Sequence, residues 1–213
     1  MQKVYFLSGL GADKRAFSFL DLSFCEPVFV DWISPLKNES LESYASRLRQ
    51  QIPEEHPTIV GVSFGGMLAS IMAKADDQIK AIIISSNKTA SEFPGYLRAG
   101  KYMPVYKWLP AQFLKSGRMS LVFGGKGKEQ KQIIRAMIKD SDVAFVKWAI
   151  GAILNWKEKE VPVNIIHIHG TTDKLLPCRF TKPDHIIKGG THLMTLYKPN
   201  EISKLLCRCI LEE

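Results

Sequence analysis

The chain has 213 residues, 46% apolar and 23% charged, and carries a net charge of +8. That length allows one domain with a sizeable core plus an insertion, and the balance of residue types is that of a globular protein. No segment approaches 18 uninterrupted apolar residues, so the sequence indicates no transmembrane helix and no integral membrane association.

Lys3-Val4-Tyr5-Phe6-Leu7-Ser8 reads as a buried strand that ends at Gly9-Leu10-Gly11. Its apolar run is too short for a secretory signal. Pro27 to Trp32 reads as a second strand. Ser40 to Ile52 is predicted helical, because Leu41, Tyr44, Ala45, Leu48 and Ile52 recur at three- and four-residue spacing. Ser40 supplies its N-cap and Pro53 its stop. Thr58 to Val62 is the third strand, and a helix-like segment follows from Met67 to Lys74. Lys80 to Ser85, Val163 to His169 and Asp184 to Lys188 are the remaining strands. Leu193 onward, with Ile202, Leu205, Leu206 and Ile210, closes the chain as helix. Short β-branched strands alternating with helices predict an α/β fold: a mostly parallel, doubly wound sheet of about six strands.

Between the fourth and fifth strands the pattern changes. Residues from about Asn87 to Glu160 show helical periodicity and no strand, with Pro94, Pro104 and Pro110 in the first half and a loop at Gly124-Gly125-Lys126-Gly127. The expected organisation is a core of residues 1–87 and 161–213 with a helical lid at 88–160. The positive surplus sits in that insertion. Lys88 to Glu160 holds 14 Lys and Arg against 6 Asp and Glu, and the rest of the chain holds 15 of each sign. Such a surplus attracts acidic substrates or anionic surfaces, or it is a solvated helical face. The segment has no nucleic-acid-binding motif, so no nucleic-acid partner is expected. Cys25, Cys178, Cys207 and Cys209 form no C-x-x-C pair and no zinc spacing, which predicts free thiols, no metal and a cytoplasmic location.

The run Gly61-Val62-Ser63-Phe64-Gly65-Gly66 joins the third strand to a helix with a serine at the apex. This is the context of a G-x-S-x-G nucleophile elbow. The turn is tight enough to strain the nucleophile's backbone and to exclude side chains at Gly61 and Gly65. A nucleophilic serine needs a base, an orienting acid and oxyanion donors. The base candidate is His192, on the glycine-rich loop Gly189-Gly190-Thr191-His192 past the last strand. His56, His167, His169 and His185 fit less well, being on or beside strands. The acid candidate is Asp173, in Gly170-Thr171-Thr172-Asp173 after the fifth strand, where it either orients the histidine or caps a turn. The loop Ser85-Ser86-Asn87 is the other place for an acid, and it offers only uncharged Asn87, with Glu92 farther along. The oxyanion donors are expected to be the backbone N–H groups of Phe64 and of Leu10 in the first turn. A rival reading makes Gly9-Leu10-Gly11-Ala12-Asp13-Lys14 a nucleotide loop with Asp31 as the acid, but the third glycine is missing.

Ser8-Gly9-Leu10-Gly11, the elbow around Ser63, Gly170-Thr171-Thr172-Asp173 with Pro177, and Gly190-Thr191-His192 together resemble the α/β-hydrolase superfamily. Their order, nucleophile, acid, histidine, is the order of that family. The resemblance implies a triad of Ser63, Asp173 and His192 with Leu10 and Phe64 as oxyanion donors. Two departures stand out. Ser8 occupies the place of the family's usual first-turn histidine, and the first strand corresponds to the family's third. His192-Leu193-Met194 followed by Lys198-Pro199 resembles the plant methylesterase and hydroxynitrile lyase branch. The implied activity is a cofactor-independent serine hydrolase acting on a small carboxylic ester or thioester. The rivals are a lyase using His192 as base and a non-catalytic binding or scaffold protein with the same fold. The lid aromatics Phe93, Tyr96, Tyr102, Tyr106, Trp108, Phe113, Phe123 and Trp148 are expected to wall an apolar acyl pocket or to pack the lid onto the core. Oligomeric state is not legible.

Overall fold

Alternation along the strands divides their side chains between two faces, and each face is buried by helices. The computed structural model describes residues 1–102, 108 and 127–211. The strands are β1 (Lys3–Leu7), β2 (Glu26–Phe29), β3 (Thr58–Val62), β4 (Lys80–Ile84), β5 (Ile165–Gly170) and β6 (His185–Ile187). They lie in the order β2-β1-β3-β4-β5-β6, with every neighbouring pair parallel.

Tyr5, Leu7, Ile59, Ala81 and Ile83 point to one face, where they meet α1 (Leu41–Arg49) and α2 (Phe64–Ala75). Val4, Phe6, Val60, Val62, Ile82, Ile84 and Ile168 point to the other, against α7 (Pro199–Leu211). This period of two is what a parallel sheet covered on both sides requires. Ser40 caps α1, its hydroxyl accepting the Ser43 N–H at 3.2 Å.

The segment between β4 and β5 contributes α3 (Gly95–Ala99), α4 (Lys128–Asp140) and α5 (Val143–Asn155) among the described residues. Helix α5 docks through an aromatic cluster. Phe145 stacks on Trp32 with ring centroids 5.6 Å apart, and Trp148 lies 4.5 Å from Tyr44. Phe64 meets both helix-borne rings, at 6.0 and 6.3 Å. The Trp148 indole N–H donates to the Glu39 carbonyl at 3.0 Å. Aromatic rings thus hold the inserted helix to the same face as α1 and α2.

Several boundaries differ from the sequence reading, and two of them have a clear physical cause. Helix α2 starts at Phe64, not Met67, because the chain enters it directly from the elbow. The closing helix is two: α6 (Met194–Tyr197) and then α7. Lys198, preceding a proline, leaves the helical region (φ −133°, ψ 41°), and Pro199 opens the next helix where its missing N–H costs nothing.

Candidate active site

Ser63 stands between β3 and α2 with φ 52° and ψ −115°, a conformation that costs a non-glycine residue of order 1–3 kcal/mol. Bonds on both sides of the turn hold it there. The Ser63 N–H donates to the Ile84 carbonyl at 2.9 Å, and its carbonyl accepts from the Ser86 hydroxyl at 2.7 Å. The same carbonyl accepts the Gly66 and Met67 amides at 3.0 and 3.1 Å. A Cβ on Gly61 would sit 2.4 Å from the Gly65 carbonyl oxygen, and one on Gly65 would sit 2.3 Å from the Leu7 and Ser8 oxygens. The glycines expected around the nucleophile are sterically required.

The first turn closes against the elbow. The Gly65 amide donates to the Ser8 carbonyl at 3.0 Å, and Gly9 approaches so closely that a Cβ there would lie 3.6 Å from Ser63 Cβ. Ser8 has a structural task of its own. Its hydroxyl donates to the Ala12 carbonyl at 2.9 Å across a turn that the Ala12 amide also closes to Gly9 at 3.0 Å. Among the described residues, no acceptor takes the N–H of Leu10 or of Phe64. Phe64 opens α2, so its amide is one of the donors a helix leaves free at its start.

Asp173 and His192 arrive on two loops laced together. The Thr172 N–H and hydroxyl both donate to the Gly190 carbonyl, at 3.0 and 2.9 Å, and the Gly189 amide donates to the Thr171 hydroxyl at 2.9 Å. Gly170 passes this carbonyl so tightly that a Cβ would lie 2.2 Å from it. The result is a continuous chain of contacts. His192 Nε2 lies 2.9 Å from Ser63 Oγ, and His192 Nδ1 lies 2.8 Å from Asp173 Oδ2. A carboxylate only accepts, so Nδ1 carries the proton and the bare Nε2 of the neutral ring accepts from the serine hydroxyl. Asp173 Oδ1 accepts the Leu175 and Leu176 amides at 2.9 Å each. The aspartate therefore caps its own loop and holds the histidine at once. Its side chain is fully buried, which by itself pushes the carboxyl up. Hydrogen bonds from His169, His192 and the Leu176 amide outweigh that and hold it below the ordinary carboxylate range.

Behind the acid lies a feature the sequence reading passed over. His169 Nε2 is 2.7 Å from the Leu176 carbonyl and 3.4 Å from Asp173 Oδ2. His169 Nδ1 is 2.9 Å from His167 Nε2. The carbonyl requires the proton on His169 Nε2, so in the neutral ring Nδ1 accepts from His167. Both rings are fully buried. Burial foremost, with His169 and Lys88 adding to it, pushes His167 down to about 2. The alternation His-x-His places both rings on one face of β5, and that spacing was the signal available. His56 and His185 stand apart from this group: His185 neighbours Cys209 Sγ at 3.8 Å, and His56 precedes β3. Asn87 is buried without a hydrogen-bond partner for its amide, and Asp173 is the acid that bonds the histidine.

A cavity of about 310 Å³ opens on Ser63 and His192. Its walls are mainly aliphatic, including Met67, Leu97, Ile134, Val146, Ile150 and Ile153, and His192 is its sole ionisable side chain among the described residues. The described aromatics divide between lining, packing and the surface. Phe93 lines the cavity, but Trp148 is spent on docking α5, and Tyr96, Tyr102 and Trp108 are exposed. Tyr106, Phe113 and Phe123, like Gly124 to Lys126, lie outside the described residues.

No protein-family model matches the sequence, and no curated protein does. Solved structures do. A hydrolase from Pseudomonas aeruginosa superposes with a TM-score of 0.77 at 9% identity, covering 99% of this chain and 90% of its own. The esterase EaEST from Exiguobacterium antarcticum gives 0.74 at 15% identity, covering 97% and 90%. A bromoperoxidase from Bacillus anthracis gives 0.71 at 14% identity, covering 98% and 91%. With six parallel strands, a strained serine between β3 and α2 and these superpositions over nearly its whole length, the chain has the α/β-hydrolase fold.

Proposed function

We propose that this protein is a serine hydrolase that cleaves small carboxylic esters or thioesters through an acyl-enzyme on Ser63. His192 takes the Ser63 proton on Nε2 as the oxygen attacks the carbonyl, then returns it to the leaving group. Asp173 fixes the Nδ1–H tautomer and stabilises the imidazolium while it exists. The Leu10 and Phe64 amides receive the developing oxyanion. Donors that act where charge appears in the transition state are worth roughly a hundred- to a thousand-fold in rate each. Water, activated by the same histidine, then frees the enzyme. Residues 88–160 serve as a lid over the core formed by 1–87 and 161–213, and their aliphatic side chains hold the acyl group. None of the four cysteines forms a disulfide, which fits a reducing cytoplasm.

The observation that carries this reading is the run of contacts from Asp173 Oδ2 through His192 to Ser63 Oγ, at 2.8 and 2.9 Å. Among the described residues, no helix is long and apolar enough to cross a membrane, so nothing in them places the site within a bilayer. Hydrolysis of p-nitrophenyl acetate and butyrate by the wild type, Ser63→Ala and His192→Ala tests it. Turnover with a nitrophenol burst in the wild type, and none above background in either variant, is the expected result. Turnover that survives Ser63→Ala, or a folded wild type with none, refutes it.

A further inference from the structure

Resting on the hydrolase reading, we propose that the site takes an ester or thioester whose acyl chain is apolar along its length and anionic at its far end. The starting point is where the positive surplus of the insertion goes. Arg98, Lys157 and Lys159 line one cavity of about 510 Å³, which also borders Trp156. Among the described residues, none of the three cations has a carboxylate within ion-pair distance. The acids closest to them in sequence are engaged elsewhere. Glu160 pairs with Lys74, Glu158 accepts the Lys159 and Glu160 amides at 2.7 and 2.8 Å, and Glu92 accepts the Lys88 amide at 2.6 Å. Trp156 adds a buried indole N–H with no acceptor, an uncommon state for a buried donor. Unpaired cations around one concavity form an anion site; a merely solvated face would spread them.

The walls connect this site to the chemistry. Phe93, Leu97, Ile153 and Leu154 line both the basic cavity and the one that opens on Ser63 and His192. The cavity of the nucleophile and that of the cations therefore adjoin along the same four apolar side chains. A short acyl chain bearing a charge would leave that charge among the aliphatic walls, with a large desolvation cost and no partner. A longer chain carries it past Phe93 and Leu154 to Arg98 and the two lysines, whose donors can bond it. Charge on the substrate should thus change from a penalty to an advantage as the chain lengthens. No single property of the acyl pocket alone predicts that reversal.

The test compares p-nitrophenyl half-esters of succinate, suberate and sebacate with p-nitrophenyl butyrate, octanoate and decanoate. In the wild type, kcat/KM for the succinate half-ester falls below that for butyrate, and the sebacate half-ester exceeds decanoate by roughly tenfold, as one charge-assisted contact allows. High salt shrinks that preference. In the triple variant Arg98→Glu, Lys157→Glu, Lys159→Glu the long half-ester loses its advantage while the neutral esters are cleaved as before. Equal kcat/KM for charged and neutral esters at every length, or a preference that survives the charge reversal, overturns the inference and leaves the hydrolase reading standing. Failure of the neutral esters to turn over through Ser63 removes the hydrolase reading and this inference with it.

Discussion

His169 Nε2 lies 3.4 Å from Asp173 Oδ2, the oxygen that also receives His192 Nδ1 at 2.8 Å. Two buried imidazoles thus flank one carboxylate, and the outer one is anchored to the Leu176 carbonyl on the acid's own loop. His169 is a positioning residue in this account: it acts on the reaction through Asp173.

Replacing His169 by Phe removes the N–H that faces the acid and leaves the Leu176 carbonyl without its donor. We expect kcat to fall about 100-fold with KM little changed, the scale of a misplaced catalytic group. His169→Gln, which offers an N–H at similar reach, restores part of the rate. A purely structural role would lower the amount of folded protein and leave kcat per folded enzyme where it was.

His167 ties stability to pH. Its folded value is pushed down to about 2 from an ordinary 6.5, so between those values the unfolded chain binds a proton that the native one refuses. Stability is therefore complete above pH 6.5 and declines as the pH falls below it. One such proton corresponds to about 1.4 kcal/mol per pH unit. Asp173 adds a second loss at lower pH: held below its ordinary 3.8, it stabilises the fold above that value and ceases to do so as the pH falls further. Urea unfolding of the wild type and His167→Gln between pH 7 and pH 5 measures the first effect. The variant should show a shallower slope by one proton, and equal slopes would contradict the assignment.

Gly65 carries the join between the elbow and the first turn. A methyl group there would lie 2.3 Å from two carbonyl oxygens of Leu7 and Ser8, and both are main-chain atoms that cannot swing away. Gly65→Ala should destabilise the protein by about 3 kcal/mol, at the upper end for overpacking. For a chain of this size that is roughly 10 °C in Tm. Esterase activity should fall further than the folded fraction, because the backbone shift also moves the Phe64 amide. Differential scanning fluorimetry beside active-site titration separates the two losses.

Ile150 on α5 lines the cavity that opens on Ser63 and His192. Ile150→Trp fills space in that cavity and leaves the serine, the histidine and the acid in place in the sequence. Acetate esters should be cleaved at near wild-type rates and octanoate esters more than tenfold more slowly. Parallel loss on both would place the acyl group elsewhere.

The strands were legible because the sheet is covered on both faces. Residues such as Ile82 and Ile83 are apolar whichever way they point, and β-branched runs of this kind, cut by glycine and proline, have few other homes. The elbow was legible because Gly61 and Gly65 are steric necessities around Ser63. Asp173 and His192 were found by their order after the insertion, yet their meeting depends on bonds between Thr171, Thr172, Gly189 and Gly190 that no spacing reveals. His169 escaped because a buried histidine on a strand looks like a core residue until its partners are known. Which aromatics line the cavity and which pack was hidden for a related reason. Trp148 and Phe145 fill the gap between α5 and the core, a role decided by helix rotation and not by residue type.

The central claim is that Ser63 is a nucleophile activated by His192. Intact-mass spectrometry after reaction with a fluorophosphonate tests it most directly, with peptide mapping to locate the adduct. One phosphonyl group per chain is expected, on Ser63, with labelling abolished in Ser63→Ala and strongly slowed in His192→Ala. Folded wild-type protein that stays unmodified, or an adduct on another residue, would contradict it.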